Sequence, residues 1–178
     1  MLQALDSGAT GIVVPHVRNV EIARDIARSA RFGADGRGFN GGTRWAGYDS
    51  QNMAELIARS ARETIVIVQI EEVEGVSAAA DIAAVAGIDA LFIGPADLSI
   101  SYGKTDTSSS QLKAAYESVG QAARAHGKGF VSYASDAQNA AALRRHGVHM
   151  FVVASEQRWM AEGARAVANG VQGLRDPA

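Results

Sequence analysis

The chain contains no cysteine, which excludes disulfides and thiolate metal sites and leaves oxygen and imidazole to hold any ion. The absence fits a reducing compartment. No apolar stretch is long enough to span a bilayer, and the opening Met1-Leu-Gln-Ala-Leu-Asp lacks the basic start of a signal peptide. A cytoplasmic protein is expected. Charge of one sign is lacking as well: the net charge is −2 with interspersed signs and no basic stripe, so neither nucleic acid nor an anionic membrane is implied as a partner. Aromatics make up only 6% of the chain, against 47% hydrophobic residues and 19 glycines, which suits an α/β protein packed by Ala, Val and Ile with many tight turns. The 178 residues fit one domain, residues 1–178, large enough to bury a substantial core.

Strand-like and helix-like segments alternate from end to end. The strands fall at Gly11–Pro15, Thr64–Glu71, Asp89–Pro95, Gly129–Ala134 and His149–Ala154. Between them the spacing of Val20, Ala23, Ile26 and Ala27, and of Met53, Leu56, Ile57 and Ser60, predicts amphipathic helices. Further helices are expected at about Ser77–Ala86, Ser109–His126, Asp136–His146 and Gln157–Asn169. Gly87, Gly127, Gly147 and Gly170 stand where these should stop, Gly8 caps an opening helical turn, and Asp136 is a fair N-cap. Strict alternation argues for a parallel sheet, doubly wound or closed into a barrel. No GxGxxG opens a helix after a strand, so dinucleotide binding has no support. The GADGRG and FNGG glycines belong to a loop, either a flexible connection or one folded over a site.

Glu71 and Asp97 are the first acids after two strands that read as buried on both faces, and in α/β folds chemistry collects at this carboxyl end. A lone acid there is more often a turn or cap residue. The pair reads as the ligands of a hard divalent cation, since two carboxylates and water leave open positions for a bidentate substrate. Gln69, two residues before Glu71, shares its strand face; Glu72 is expected on the opposite face, solvated. His16, just past a strand, is a surface or packing residue or lines the site's mouth. His126, His146 and His149 suit helix ends and carry no assigned chemistry. Arg37 and Arg44 default to solvated charges, with an acidic substrate or a neighbouring subunit as the other option. Trp45 and Tyr48 are expected to pack beneath the glycine-rich loop.

The segments LDSGATGIVVPHV, GRGFNGGTRWAGY, VQIEEVEGV and GIDALFIGPADLSISYG together resemble the HpcH/HpaI (4-hydroxy-2-oxoheptanedioate aldolase) family of metal-dependent class II aldolases. The resemblance implies a (β/α)8 TIM barrel of which this chain carries the last five βα units, from the fourth strand to the eighth. It further implies that Glu71 and Asp97 hold Mg2+ or Mn2+, with Co2+ a further option, and that the ion chelates pyruvate as a Lewis acid. Gln69 would hydrogen-bond near the keto oxygen. The Gly94, Pro95, Ala96 and Asp97 turn would bind the carboxylate through backbone N–H groups. The implied reaction is reversible cleavage of a 4-hydroxy-2-oxo acid to pyruvate and an aldehyde, in a homo-oligomer whose last helix, Trp159 to Val171, contacts a neighbouring subunit or packs on the core.

Two groups of the family's chemistry have no counterpart here. Neither the D-x-E-H strand end that supplies a candidate base nor the arginine that follows the next strand occurs in the sequence. The ends of the last two strands, VSYASD and VVASEQRWM, also depart from the family pattern. A typical barrel takes roughly 250 residues, so the expectation is a fragment, or a degenerate aldolase impaired in turnover. A positioned base contributes about 10²- to 10⁴-fold in rate. The runner-up reading is a non-catalytic remnant that binds metal and 2-oxo acid. The acyl-CoA lyase branch ranks low, because its aspartate motif is nearer A-E-D-L than G-P-A-D-L.

Overall fold

The computed structural model describes residues 1–48 and 52–173. A short α1 (Leu2–Asp6) leads into β1 (Gly11–Val14), α2 (Val20–Ser29), α3 (Met53–Glu63), β2 (Ile65–Ile70), α4 (Val73–Ser77) and α5 (Ala79–Ala83). β3 (Ala90–Ile93), α6 (Pro95–Ser101), α7 (Ser110–Ala125), β4 (Gly129–Ala134), α8 (Ala137–Arg144), β5 (Met150–Val153) and α9 (Glu156–Gln172) complete the order. All five expected strands form; β4 keeps its expected bounds and the others are shortened by one to three residues where the chain bends out of the ladder.

The sheet is parallel throughout, and its spatial order is its chain order, β1-β2-β3-β4-β5. Among the described residues the winding never reverses and makes no switch point of the doubly wound kind. The result is a half-barrel with helices on one face. Val66, Val68 and Ile70 of β2 and Leu91 and Ile93 of β3 point to that face and join Ile26, Ile82, Leu98, Leu112, Val119 and Phe130 in the main core. Each such side chain contributes roughly 1.5–3 kcal/mol on leaving water. The opposite face is thinner. Ala90, Phe92 and Val131 form a small cluster with Ile67, while Val13, Ile65, Met150 and Val152 stay 47–49% exposed.

Helix starts are set by side-chain caps. Asn19, Asn52, Ser109, Asp136 and Ser155 each accept from the backbone N–H three residues on, satisfying a donor that a helix cannot satisfy itself. The helix expected at Ser77–Ala86 begins earlier and is broken at Ala78 into α4 and α5. Ser77 Oγ bonds back to the Val73 carbonyl at 3.1 Å, a local competitor to the helical ladder. Gly75 lets α4 approach the neighbouring chain, since a Cβ there would lie 2.7 Å from the Val17 carbonyl. Gly8, Gly87, Gly127 and Gly147 take positive φ as expected of stops. Gly170 does not stop its helix: α9 continues to Gln172 and ends at Gly173. Among the described residues no helix is long and apolar enough to cross a membrane.

Candidate active site

β2 alternates buried and partly open positions up to Ile70, which places Gln69 on the thin face. Glu71 follows on that side and is 3% exposed. Two donors hold its carboxylate and the His16 ring stands beside it. Gln69 Nε2 donates to Oε2 at 2.5 Å, the His16 backbone N–H donates to Oε1 at 2.9 Å, and His16 Nδ1 lies 3.0 Å from the same oxygen. Burial of a carboxylate costs heavily unless it is paired in this way.

His16 directly follows β1 and Pro15, and it adopts the left-handed region at φ 60. That turn points both its N–H and its ring at Glu71. Its Nδ1 also lies 2.8 Å from Glu72 Oε1. The hydrogen bond to the Glu72 carboxylate, and then the charge of Glu71, raise the imidazole pKa above its ordinary value. Glu72 is therefore not solvated on an opposite face. Strand alternation ends at Ile70, Glu72 is the N-cap residue of α4, and its carboxylate turns back toward His16, with Oε2 buried and unpartnered. Arg18 Nε stands 3.7 Å from Glu72 Oε1. One donor atom from each of His16, Glu71 and Glu72 falls within a 4.8 Å group able to hold a metal ion. Of the two readings open for His16, the structure takes the one at the site's mouth, whereas Glu72, expected on the opposite face, is the participant that sequence reasoning missed.

Gly94 closes the other side. A Cβ there would sit 2.7 Å from Gln69 Nε2 and 2.9 Å from Glu71 Oε2, so only glycine allows β3 to leave the sheet against this pair. The segment expected as a turn is the start of a helix: Gly94 is the N-cap of α6, Pro95 its first residue, and Asp97 lies in its first turn. Proline suits that position because it lacks an N–H, while those of Ala96 and Asp97 have no intrahelical acceptor. The Asp97 side chain is exposed and outside the His16, Glu71 and Glu72 group. The structure thus brings Gln69, Glu71 and Gly94 together, and sets Pro95, Ala96 and Asp97 on the adjoining helical turn. A cavity of about 220 Å³ opens beside it, lined by Pro95, Ala96, Thr107, Tyr116, Tyr133 and Asn139 among others.

The donor set fits a hard divalent cation. Carboxylate oxygens and an imidazole are ligands of the right class, and the orphaned Glu72 oxygen and the Cβ-free space at Gly94 leave donors and room at the place where β2 and β3 end.

The glycine-rich loop belongs elsewhere. Arg37 N–H donates to Arg31 O and Trp45 N–H to Asp6 O, and Arg31 in turn reaches the Thr64 and Gly87 carbonyls that precede β2 and β3. These anchors lie at the amino ends of the strands, opposite Glu71. Arg37 is not a solvated charge: it is 3% exposed, pairs with Asp6 through Nη2, and lies 4.5 Å and 5.2 Å from the Phe32 and Trp45 ring centres. Trp45 is buried as expected, whereas Tyr48 is 69% exposed and not a packing residue. A cavity of about 890 Å³, lined by Arg24, Arg28, Arg31, Asp81 and Asp89 among others, also lies at this far end.

The model of the HpcH/HpaI aldolase/citrate lyase family matches residues 1–162. The chain belongs to that family. Among its HpcH/HpaI relatives, a hydroxypyruvate/pyruvate aldolase of Delftia acidovorans is 42% identical over 129 residues, covering 71% of this chain and 47% of that protein. A 4-hydroxy-2-oxovalerate aldolase of Novosphingobium aromaticivorans is 40% identical over 110 residues, 60% of this chain and 40% of its own length. An HpcH/HpaI aldolase/citrate lyase family protein from Burkholderia cenocepacia superimposes with a TM-score of 0.88 at 29% identity, over 96% of this chain and 68% of that one. The chain thus spans about two fifths to two thirds of the length of the relatives it matches.

Proposed function

We propose that this chain carries the metal-holding side of a lyase site that cleaves a 4-hydroxy-2-oxo acid reversibly to pyruvate and an aldehyde, built on the last five βα units of a (β/α)8 barrel. The observation that carries the reading is the contact of Gln69, Glu71 and Gly94 where β2 and β3 end. That is where a parallel barrel keeps its chemistry. Relatives named as hydroxypyruvate/pyruvate and 4-hydroxy-2-oxovalerate aldolases support the substrate class.

Glu71 and Asp97 would hold the ion, Mg2+ or Mn2+ with Co2+ as a further option, and the ion when bound supplies Lewis acidity to the 2-oxo acid. The remaining work falls to residues of the chain. Gln69 keeps one amide donor on Glu71 and has a second N–H free for a keto oxygen. Gly94 and Pro95 remove side-chain bulk and an N–H from the approach, and the backbone N–H groups of Ala96 and Asp97 would donate to the substrate carboxylate. His16 fixes the Glu71 carboxylate through its main chain, a hold that does not depend on its ring.

Incubation with Mn2+ and a 4-hydroxy-2-oxo acid should release pyruvate, and Mn2+ should promote deuterium exchange at the pyruvate methyl group. Finding neither would sink the lyase reading. The group of His16, Glu71 and Glu72, able to hold an ion, also supports a second reading, a non-catalytic module for metal and 2-oxo acid. It is distinguished by Mn2+ affinity that rises with pyruvate and is lost in Asp97→Ala, without turnover. Under either reading the apolar side chains of α9 form a contact between copies of the chain.

A further inference from the structure

The peptide unit between Ile93 and Gly94 is gripped from two sides. Its N–H, belonging to Gly94, donates to the Ile70 carbonyl at 3.3 Å. Its carbonyl, belonging to Ile93, accepts from Ser132 Oγ at 3.0 Å. Ser132 lies on β4, is fully buried, and has one hydroxyl proton, which this bond uses. The 2.8 Å contact between Ser132 Oγ and the Tyr116 hydroxyl must then be donated by Tyr116. A directed chain results, from Tyr116 on α7 through Ser132 on β4 to the peptide that ends β3.

The site depends on that peptide's orientation. The Ile70 carbonyl holding its N–H belongs to the residue before Glu71. The glycine it leads into has no room for a Cβ against Gln69 and Glu71 and caps α6, whose first turn carries Ala96 and Asp97. Rotation about this unit would swing the α6 turn away from Glu71. Tyr116 is itself fixed, 4% exposed, with its ring 6.3 Å from that of Phe130 and stacked 5.9 Å from His146.

We infer that Tyr116 and Ser132 are positioning residues that clamp the Ile93–Gly94 peptide and thereby aim the Gly94 to Asp97 turn at the 2-oxo acid carboxylate. The clamp itself stands on geometry; its role toward a carboxylate rests on the function proposed above. Neither side chain touches substrate. Both act through the backbone of another strand.

Amide hydrogen exchange followed by NMR tests the clamp without any assay of activity. Tyr116→Phe keeps the ring and removes only the donor; Ser132→Ala removes the link. The Gly94 amide should exchange about threefold faster in Tyr116→Phe and about tenfold faster in Ser132→Ala, the scale of one weakened or lost buried hydrogen bond. The amides of Val66 and Gly129, bonded to Asp89 at the far end of the sheet, should keep their wild-type rates. A wild-type rate at Gly94 in both variants overturns the proposal, and so does equal acceleration of all three amides, which marks global loosening. Should Ser132→Ala fail to fold, Tyr116→Phe decides alone. A second titration separates the two layers: pyruvate added to the Mn2+-loaded protein should bind about tenfold more weakly in Ser132→Ala, with Mn2+ affinity within about twofold. If wild type binds no pyruvate, the proposed function falls while Gly94 exchange still decides the clamp.

Discussion

Glu71 is the residue on which the site turns, because its buried carboxylate is already satisfied by Gln69 and by the His16 main chain. An arriving cation meets an oriented ligand. The proposed pairing with Asp97 and the observed grouping with His16 and Glu72 predict different losses. Asp97→Asn should weaken Mn2+ binding by about tenfold or more, the scale of losing a ligand or its support, while His16→Ala leaves affinity within about threefold because the backbone N–H on Glu71 survives. Calorimetric titration of both variants decides; the reverse order would move the ion to the His16 side. Gly94→Ala tests the same corner sterically. A methyl group 2.7 Å from Gln69 Nε2 must displace the pair, and overpacking of this kind costs about 1–3 kcal/mol, read as a lower urea midpoint together with lost Mn2+ binding. Glu71, Gln69 and Gly94 were legible from strand parity and the family motif. His16 was legible only as one of two options and Glu72 not at all, because a left-handed turn after Pro15 and the end of the β2 pleat at Ile70 leave no periodic trace.

At the scale of elements, the strands were readable because their β-branched runs are bounded by turns, and most helices because their apolar spacing survives in the sequence. α6 was hidden. Its seven residues are too few for a period to show, and a glycine followed by proline reads equally as turn or helix start. The glycine-rich segment, open between a flexible connection and a loop over a site, was undecided for a different reason: its anchor is tertiary, the buried pairing of Arg37 with Asp6 beneath Phe32 and Trp45. Asp6→Ala should destabilise the chain by about 2 kcal/mol, less than the 3–5 of a fully buried pair because Asp6 keeps some solvent, and chemical denaturation would measure it. The cap of α8 carries a pH signature. Hydrogen bonds from the Asn139 N–H, then from the Ser135 hydroxyl, hold the Asp136 carboxyl below its ordinary range. Its stabilisation is therefore fully present above the unfolded value and is lost as pH falls through the lower folded one. Asp136→Asn keeps an N-cap but not the charge. Its melting temperature should fall below wild type at neutral pH, and the gap should close as pH drops below about 4.

The whole molecule presents a parallel half-barrel with two strand edges and one helix that the described residues leave open. Among those residues β1 and β5 each pair on one side only, and an unpaired parallel edge invites association unless something covers it. α9 offers the broadest apolar surface. None of its residues is buried, yet Trp159, Met160, Val167 and Val171 stand 58–69% exposed. Side chains of that kind on one helix are costly to leave in water and are enriched at contacts between chains. If α9 joins copies, Trp159→Glu combined with Val167→Glu should convert the assembly to a monomer in light scattering coupled to size exclusion. Melting measured at low concentration should be little changed, because neither side chain contributes to the core. The concentration dependence separates this from simple destabilisation: wild-type melting should rise with protein concentration, as association linked to folding requires, and the double variant should show no such rise. A wild-type chain that elutes as a monomer at all concentrations would remove α9 as a contact between copies.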